Sequence, residues 1–486
     1  MEKNQNSEEP KKKYNKMISR RGYSLIKENL SSKDLKELKK ELTVAPISHI
    51  NYGPSPTPFK LYKESKQKIY VPKSFGIKKF GEPDLNKLKN FTGDDINIDF
   101  KGSMRDKQMP VINTFIKECK INGGGIVCLP CGFGKTVIGL NIISCLKKKT
   151  LVVCHKEFLL NQWKERIEMF LPEARLGCIQ QKKVEIEDKD IVLGMLQSIA
   201  MRDYSDDIFD SFGFVIFDEC HHLGAEVFSK ALPKLTSPYM LGLSATPDRK
   251  DGLSKVFEHY LGDMVYCVKE REPDTVSLKI IKYFSENEKY CDPEINFRGQ
   301  LNSPAMITKV CSYNHRTEVL IDEIKSLVIT GRRILVLSER RDHLNYFYKA
   351  LTEKKICSCG YYVGGMKQDD LNESSKKQVV LGTFHLASEG MDVPELNTVI
   401  LASPKTDIQQ SIGRIFRQKA EDRTHQPLII DIIDENIKSF KNKFYQRNKI
   451  YKKNKYQVTK VEIFEKKQKI TDHFKDIKFT NCIIED

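Results

Sequence analysis

From about residue 100 to 430 the chain keeps one rhythm, in which short apolar runs alternate with longer amphipathic segments. The runs are "GGIVCL", "TLVVCH", "DIVLGM", "FGFVIFDE" and "YMLGLSAT"; after 275 come "RRILVLS", "CSCGYYVGG", "KQVVLGTF", "NTVILASP" and "QPLIIDIID". Runs without alternation suit strands buried on both faces. Such strands, spaced by helices, make parallel sheets with crossover connections. Two series in tandem predict two α/β domains with a junction near 265–290.

The flanks break this rhythm. In "SSKDLKELKKEL", Leu35, Leu38 and Leu42 stand at helical spacing behind Ser and Asp start signals. "YGPSPTPF" at 52–59 is turn-prone, and "KIYVPKSFGIKKFGEP" reads as a short strand followed by turns. The predicted layout is a basic N-terminal accessory region of α+β character over 1–95, a first domain over 96–270, a second over 275–435, and a basic helical tail over 436–486. In that tail Phe440, Phe444, Tyr445, Tyr451 and Arg447 lie among lysines. Bases stacking on the aromatics would suit them, but a terminal helix packed on the second domain is the favoured reading.

Composition narrows the partners. The chain carries 81 Lys and Arg against 65 Asp and Glu, a formal charge of +16, which favours nucleic acid or an anionic membrane. No apolar run approaches the ~18 residues of a bilayer span, and the N-terminus lacks the apolar core of a secretion signal. The 13 cysteines are odd in number and scattered. The expectation is a non-secreted, intracellular protein with reduced thiols and no membrane partner.

Two stretches carry chemistry. "LPCGFGKT", 129–136, stands between an apolar run and an amphipathic segment, the order strand, loop, helix. Loop and helix N–H groups can wrap phosphates there. Gly132, Phe133 and Gly134 form the loop, Lys135 would reach the β and γ phosphates, and the Thr136 hydroxyl would join a Mg²⁺ shell. Leu129 occupies the position of the first glycine in the strict phosphate-loop pattern. "FDECHHL", 217–223, ends a second buried run with adjacent carboxylates. Asp218 would hold the metal and Glu219 would orient or deprotonate the attacking water. A zinc cage from Asp218, Cys220, His221 and His222 is disfavoured, because no distant Cys half pairs with it; Cys128 and Cys131 overlie the phosphate loop.

With these two in order, the stretch 100–435 resembles the superfamily 2 helicases. Gln108 stands 27 residues before Lys135, where that family places an adenine-reading glutamine. "TLVVCHKEFLLNQW" resembles its first nucleic-acid-contacting motif, with His155 and Lys156 in place of the usual Pro-Thr. "LGLSATPDRKDGL" holds the Ser-Ala-Thr coupling motif through Ser244 and Thr246. "GTFHLASEGMDVPELNTVIL" resembles the fifth motif, implying that Thr383 touches the strand while Gly390 and Asp392 lie by the nucleotide. "QQSIGRIFRQ" carries Gln410, Gly413, Arg414 and Arg417.

The resemblance implies two RecA-like domains, ATP and Mg²⁺ as cofactors, and a nucleic-acid strand along both domains. It implies Arg414 and Arg417 as arginine fingers, Gln410 near the attacking water and His221 in interdomain signalling. Cys220 would fill the place that alanine takes in DEAD and DEAH motifs, with His222 left without a role. The "ATPDRKDGL" continuation and the Gln-type last motif look like the branch of repair and transcription-factor helicases, phage recombination helicases and viral transcript-release helicases. The expected activity is ATP-driven movement on or unwinding of DNA by a monomer. Transcription machinery is an expected partner, and host cytoplasm or virion the expected place. RNA is the alternative strand, and an ATP-switched remodelling subunit the alternative class.

Overall fold

The computed structural model describes residues 15–47, 57–89, 92–130, 132–245, 249, 251–268, 275–391, 393–418 and 422–465. Thr246, Asp392, Cys131, most of the turn-prone 52–59 stretch and the tail beyond 465 lie outside them. Residues up to 269 form one compact unit and those from 270 a second.

The first unit opens with β1 (Lys16–Ser19), β2 (Gly22–Ile26), β3 (Thr43–Val44), β4 (Phe59–Lys60), β5 (Lys63–Glu64), β6 (Lys68–Val71) and β7 (Leu85–Asn86). β3 and β4 pair with each other; the rest form a sheet in the order β5-β6-β2-β1-β7. The predicted helix forms over Ser32–Glu41, and the Ser31 side chain caps it by accepting from the Asp34 N–H at 3.1 Å. After β6, where turns are expected, the chain makes a helix over Lys73–Phe80. Gly76 lies inside it because a Cβ there would overlap the Tyr23 ring, so this glycine serves close packing and not a turn. Gly76→Ala is expected to cost about 1–3 kcal/mol by overpacking, outweighing its helix-propensity gain, and urea unfolding would measure it.

Composition changes near residue 95, but packing does not. The Lys73 ammonium is buried and donates to the carbonyls of Gly123, Ser237 and Pro238 at 3.1, 2.9 and 3.1 Å. The Tyr260 hydroxyl donates to Leu61 O at 3.1 Å.

The main sheet of this unit contains β8 (Gly124–Cys128), β9 (Thr150–Cys154), β10 (Leu176–Gln180), β11 (Lys183–Val184), β12 (Ile191–Met195), β13 (Phe214–Phe217), β14 (Tyr239–Ser244) and β15 (Met264–Cys267). Its order is β11-β10-β12-β9-β13-β14-β8-β15, parallel except for the β10–β11 hairpin. β8, β9 and β13 are buried at every position, as doubly covered strands require.

The second unit is built on β16 (Ser277–Phe284), β17 (Ile334–Ser338), β18 (Cys359–Tyr362), β19 (Val379–Thr383), β20 (Thr398–Leu401), β21 (Leu428–Asp434) and β22 (Gln457–Phe464). These form one parallel sheet in the order β18-β19-β17-β20-β21-β16-β22. The tail, expected as helix, is a helix over Lys438–Lys453 followed by β22, which joins the sheet beside β16. Phe440 and Tyr451 are buried, and the Arg447 guanidinium donates to Asp431 at 2.8 and 2.9 Å, so the helix packs on its own domain. No helix among the described residues is long and apolar enough to cross a membrane.

Candidate active site

The chemistry of the first unit gathers at the carboxyl ends of β9, β13, β14 and β8, neighbours in its sheet. From β8 the chain passes through Leu129, buried and bonded through its N–H to Ser244 O at 2.9 Å. It then turns at Gly132 (φ 81°) and Gly134 (φ 97°) into the helix Lys135–Leu146. Left-handed φ at the two glycines shapes the bend that leaves Lys135 as the first helical residue and Thr136, half-buried, as the second. Gln108 is buried against this loop: its Nε2 donates to Phe133 O at 2.8 Å, and its Oε1 accepts from the Arg105 N–H at 3.0 Å. The side-chain amide is thus engaged by backbone at both ends, and reading adenine requires it to leave those bonds.

β13 ends at Phe217, and Asp218 N–H still bonds to Val153 O at 3.0 Å. Glu219 then adopts a left-handed backbone (φ 48°, ψ 53°), uncommon for a side-chain-bearing residue. An extended strand would send successive carboxylates to opposite faces. The left-handed turn breaks that alternation.

Lys135 Nζ meets Glu219 Oε1 at 2.5 Å, with both side chains mostly buried. Burial and the charge on Glu219 raise the Asp218 carboxyl above its ordinary range. Burial pushes Glu219 the same way, but Lys135 and then His221 outweigh it and hold that carboxyl low. The two acids therefore shift in opposite directions, with Glu219 the more readily ionised of the two. Two carboxylates facing one ammonium leave the cluster short of positive charge. Glu219 Oε2 is also buried and accepts no hydrogen bond among the described residues, with His221 Nδ1 3.4 Å away. Hard oxygen donors at Asp218 and Thr136 fit Mg²⁺, and the free lone pairs of Oε2 fit a water.

Three groups here carry weight that motif reading missed. Trp163, the chain's single tryptophan, is buried and donates from Nε1 to Asp218 Oδ2 at 2.9 Å. It sits on the helix Glu157–Phe170, whose N-cap is Lys156. Nothing in its spacing signals this bond, which spans 55 residues. Trp163→Phe removes the donor and leaves a small void where the larger indole packed. A loss of about 1.5–3 kcal/mol is expected in thermal or denaturant unfolding, with Asp218 shifted further upward. Arg249 is the second: it donates to His221 O at 2.6 Å and pairs with Asp251 through Nε and Nη2 at 2.9 and 2.5 Å.

His222 is the third. Its ring lies 3.8 Å from that of His155, stacked, and 4.3 Å from that of His221. His155, expected at the nucleic-acid surface, is instead buried in this column of rings, so Lys156 is the more accessible of the pair. Burial pushes His221 below the ordinary imidazole range, and its Nδ1 lies 3.1 Å from Ser244 Oγ. That contact joins "DECHH" to the coupling motif at Ser244. Cys220 is fully buried against Gly242, where a Cβ would press on its sulfur, as expected for a small filler.

The second unit holds the remaining candidates. Thr383 ends β19, half-buried, and stands at the N-cap position of the helix Phe384–Gly390 without a side-chain bond to it. Gln410 lies half-buried in the short helix Gln409–Ile412, which gives way to a 3₁₀ turn over Gly413–Phe416. Arg414 is buried and donates to Met391 O at 2.8 Å, tying this segment to the end of the Thr383 helix. Arg417 is half-buried and more open than Arg414.

Family models and known proteins are similar to this chain along much of its length. The model of the type III restriction enzyme res subunit matches residues 101–249, and that of the helicase conserved C-terminal domain matches 315–419. A protein of Acanthamoeba polyphaga mimivirus, provisionally named an ATP-dependent RNA helicase, is 36% identical over 458 residues, spanning 92% of this chain and 87% of that one. A protein of African swine fever virus with the same provisional name is 27% identical over 354 residues, 68% of each chain. Yeast Dbp5, solved bound to RNA and ADP BeF3, superposes at a TM-score of 0.48 with 15% identity over 70% of this chain and 85% of that one.

Proposed function

The chain belongs to the superfamily 2 helicases of the large-DNA-virus type, enzymes that hydrolyse ATP to move on or unwind nucleic acid, and on that premise we propose that its track is DNA. The "ATPDRKDGL" continuation and the Gln-x-x-Gly-Arg-x-x-Arg motif support this, since both resemble the DNA-repair and transcript-release branch. Action in viral transcription, beside the transcription machinery and as a monomer, is part of the same proposal. RNA is the second reading, favoured by the names of the mimivirus and swine fever virus relatives.

One observation carries the chemical assignment: Lys135 at a helix N-terminus, 2.5 Å from Glu219 and beside half-buried Asp218. Lys135 and the loop N–H groups bind the β and γ phosphates, with Gly132, Phe133 and Gly134 lining them. Thr136 and Asp218 would hold Mg²⁺, which would supply positive charge against the phosphates. Glu219, free of Lys135 once phosphates claim it, accepts a proton from or orients the attacking water. Gln108 takes the adenine edge, and Gly390 and Asp392 the nucleotide from the second domain. Arg417, and Arg414 if it leaves Met391 O, supply the positive fork that matches developing phosphate charge; Gln410 orients water. Lys156 and Thr383 contact the strand backbone. Trp163 links the Lys156 helix to the metal carboxylate, while His221 and Ser244, with Thr246, carry the state of the site outward.

The test is ATP turnover without cofactor and with single-stranded DNA, duplex DNA or RNA across a salt series. Stimulation selective for DNA supports the proposal. RNA-selective stimulation replaces DNA by RNA, and turnover indifferent to any strand points to an ATP-switched remodelling subunit.

A further inference from the structure

The most exposed large apolar side chain among the described residues is Phe297, at 91%. It belongs to none of the motifs above. It rides on a tight projection of the second unit between the helices Glu288–Cys291 and Ser303–Cys311. Water normally drives such a ring inward, yet here it stays out on a turn with its own hydrogen bonds. Ile295 and Leu301 form an antiparallel bridge at the base of the turn. Asn296 N–H donates to Gln300 O at 2.8 Å, and its carboxamide oxygen accepts from Arg298 N–H and Gln300 N–H at 2.9 and 3.0 Å. Gly299, at φ 73°, supplies the left-handed position that closes the turn. Below it, Asn302 N–H donates to Glu294 O at 2.7 Å, and the Asn302 side chain caps the following helix through Ala305 N–H at 3.2 Å. Lys309 pairs with Glu294 at 3.1 Å and donates to Asp292 O at 2.7 Å. The turn is thus internally bonded and tied to a helix, yet its tip holds an aromatic ring in water.

The ring has company. The Arg298 guanidinium lies 5.1 Å from the Phe297 centroid and is itself exposed, while Ile295 and Leu301 continue an apolar strip at 58% and 45% exposure. A flat ring beside a planar cation presents a stacking face and a phosphate contact side by side, the pairing by which single strands are held without sequence preference. Glu294, the nearest acid in sequence, is drawn to Lys309 at the foot of the turn and leaves the tip net positive. The strip beneath is narrow, where a protein-docking patch would be broad.

We infer that the 295–301 projection is an accessory single-strand contact, with an unpaired base stacking on Phe297 and the adjacent phosphate meeting Arg298. This rests on the nucleic-acid reading above and names a contact outside the helicase motifs. The experiment uses the full chain and labelled oligothymidylate and oligouridylate. Phe297→Ala is expected to weaken binding about 5- to 100-fold with an unchanged slope of log K against log salt, since no phosphate contact is lost. Phe297→Trp should bind as the wild type does. Arg298→Ala should flatten the salt slope by about 0.7. ATP turnover without nucleic acid should be the same in all three. If Phe297→Ala binds both oligomers as tightly as wild type while their stimulation of wild-type turnover persists, the projection is a protein-docking knob and the inference falls alone. If wild type neither binds nor responds to either oligomer, the function proposed above falls with it.

Discussion

Glu219→Gln is expected to lower nucleic-acid-stimulated ATP turnover by about 10²–10⁴ while leaving strand binding intact, the scale of a lost general base. That corresponds to about 2.7–5.4 kcal/mol of barrier. Glutamine has the same shape, so the left-handed turn after β13 and the packing around it survive. What disappears is the anion. Glu219 is held ionised by Lys135 at 2.5 Å, and its Oε2 is the buried oxygen with unfilled accepting capacity. A neutral amide cannot accept a proton from water, and with its oxygen turned to Lys135 its –NH₂ would stand where Oε2 accepts the water. Lys135→Ala should also abolish turnover, but by weakening nucleotide binding, so the two separate in KM and kcat. Unchanged turnover in the glutamine variant would sink the assignment of the site.

The second large effect concerns stability. Arg316→Met is expected to destabilise the second domain by about 3–5 kcal/mol, seen as an early transition in urea. Arg316 is fully buried; it donates to Asp434 at 2.5 and 3.3 Å and to Ala402 O at 2.7 Å. The Tyr290 hydroxyl donates to the same carboxylate at 2.5 Å. Burial opposes the charge on Arg316 and Asp434 more than restores it. Methionine fills the space but strands a buried carboxylate with one neutral donor. Arg316→Met with Asp434→Asn should recover much of the loss, because the cost is the uncompensated charge and not the missing contact. A double variant no more stable than the single one would overturn that account.

The strands that read as continuous apolar runs were legible because burial on both faces leaves no alternation to misread. The phosphate loop and the paired acids were legible because their chemistry is local in sequence. β16 and β22 escaped because "SLKIIKYF" and "QVTKVEIF" mix lysine and glutamate with apolar positions, and β22 is an edge strand open to water. The helix at Lys73–Phe80 was hidden by Gly76, whose reason is the Tyr23 ring 53 positions upstream. Likewise the Trp163 bond to Asp218 and the stacking of His155 on His222 join segments that only the sheet order brings together. Local rules see residues three or four apart, and these partnerships are made by topology.

Lys73 has a consequence for how the chain melts. Its ammonium is the shared partner of three carbonyls, two of them at Ser237 and Pro238, just before β14 enters the ATPase sheet. Withdrawing the β1–β7 layer would strip the Ser237 and Pro238 carbonyls of this donor and bare the apolar surface beneath. Residues 15–268 should therefore absorb heat in a single calorimetric step, and a protease nick near 90 should leave two fragments that stay together until that step. Chemistry and flank are expected to melt as one cooperative body.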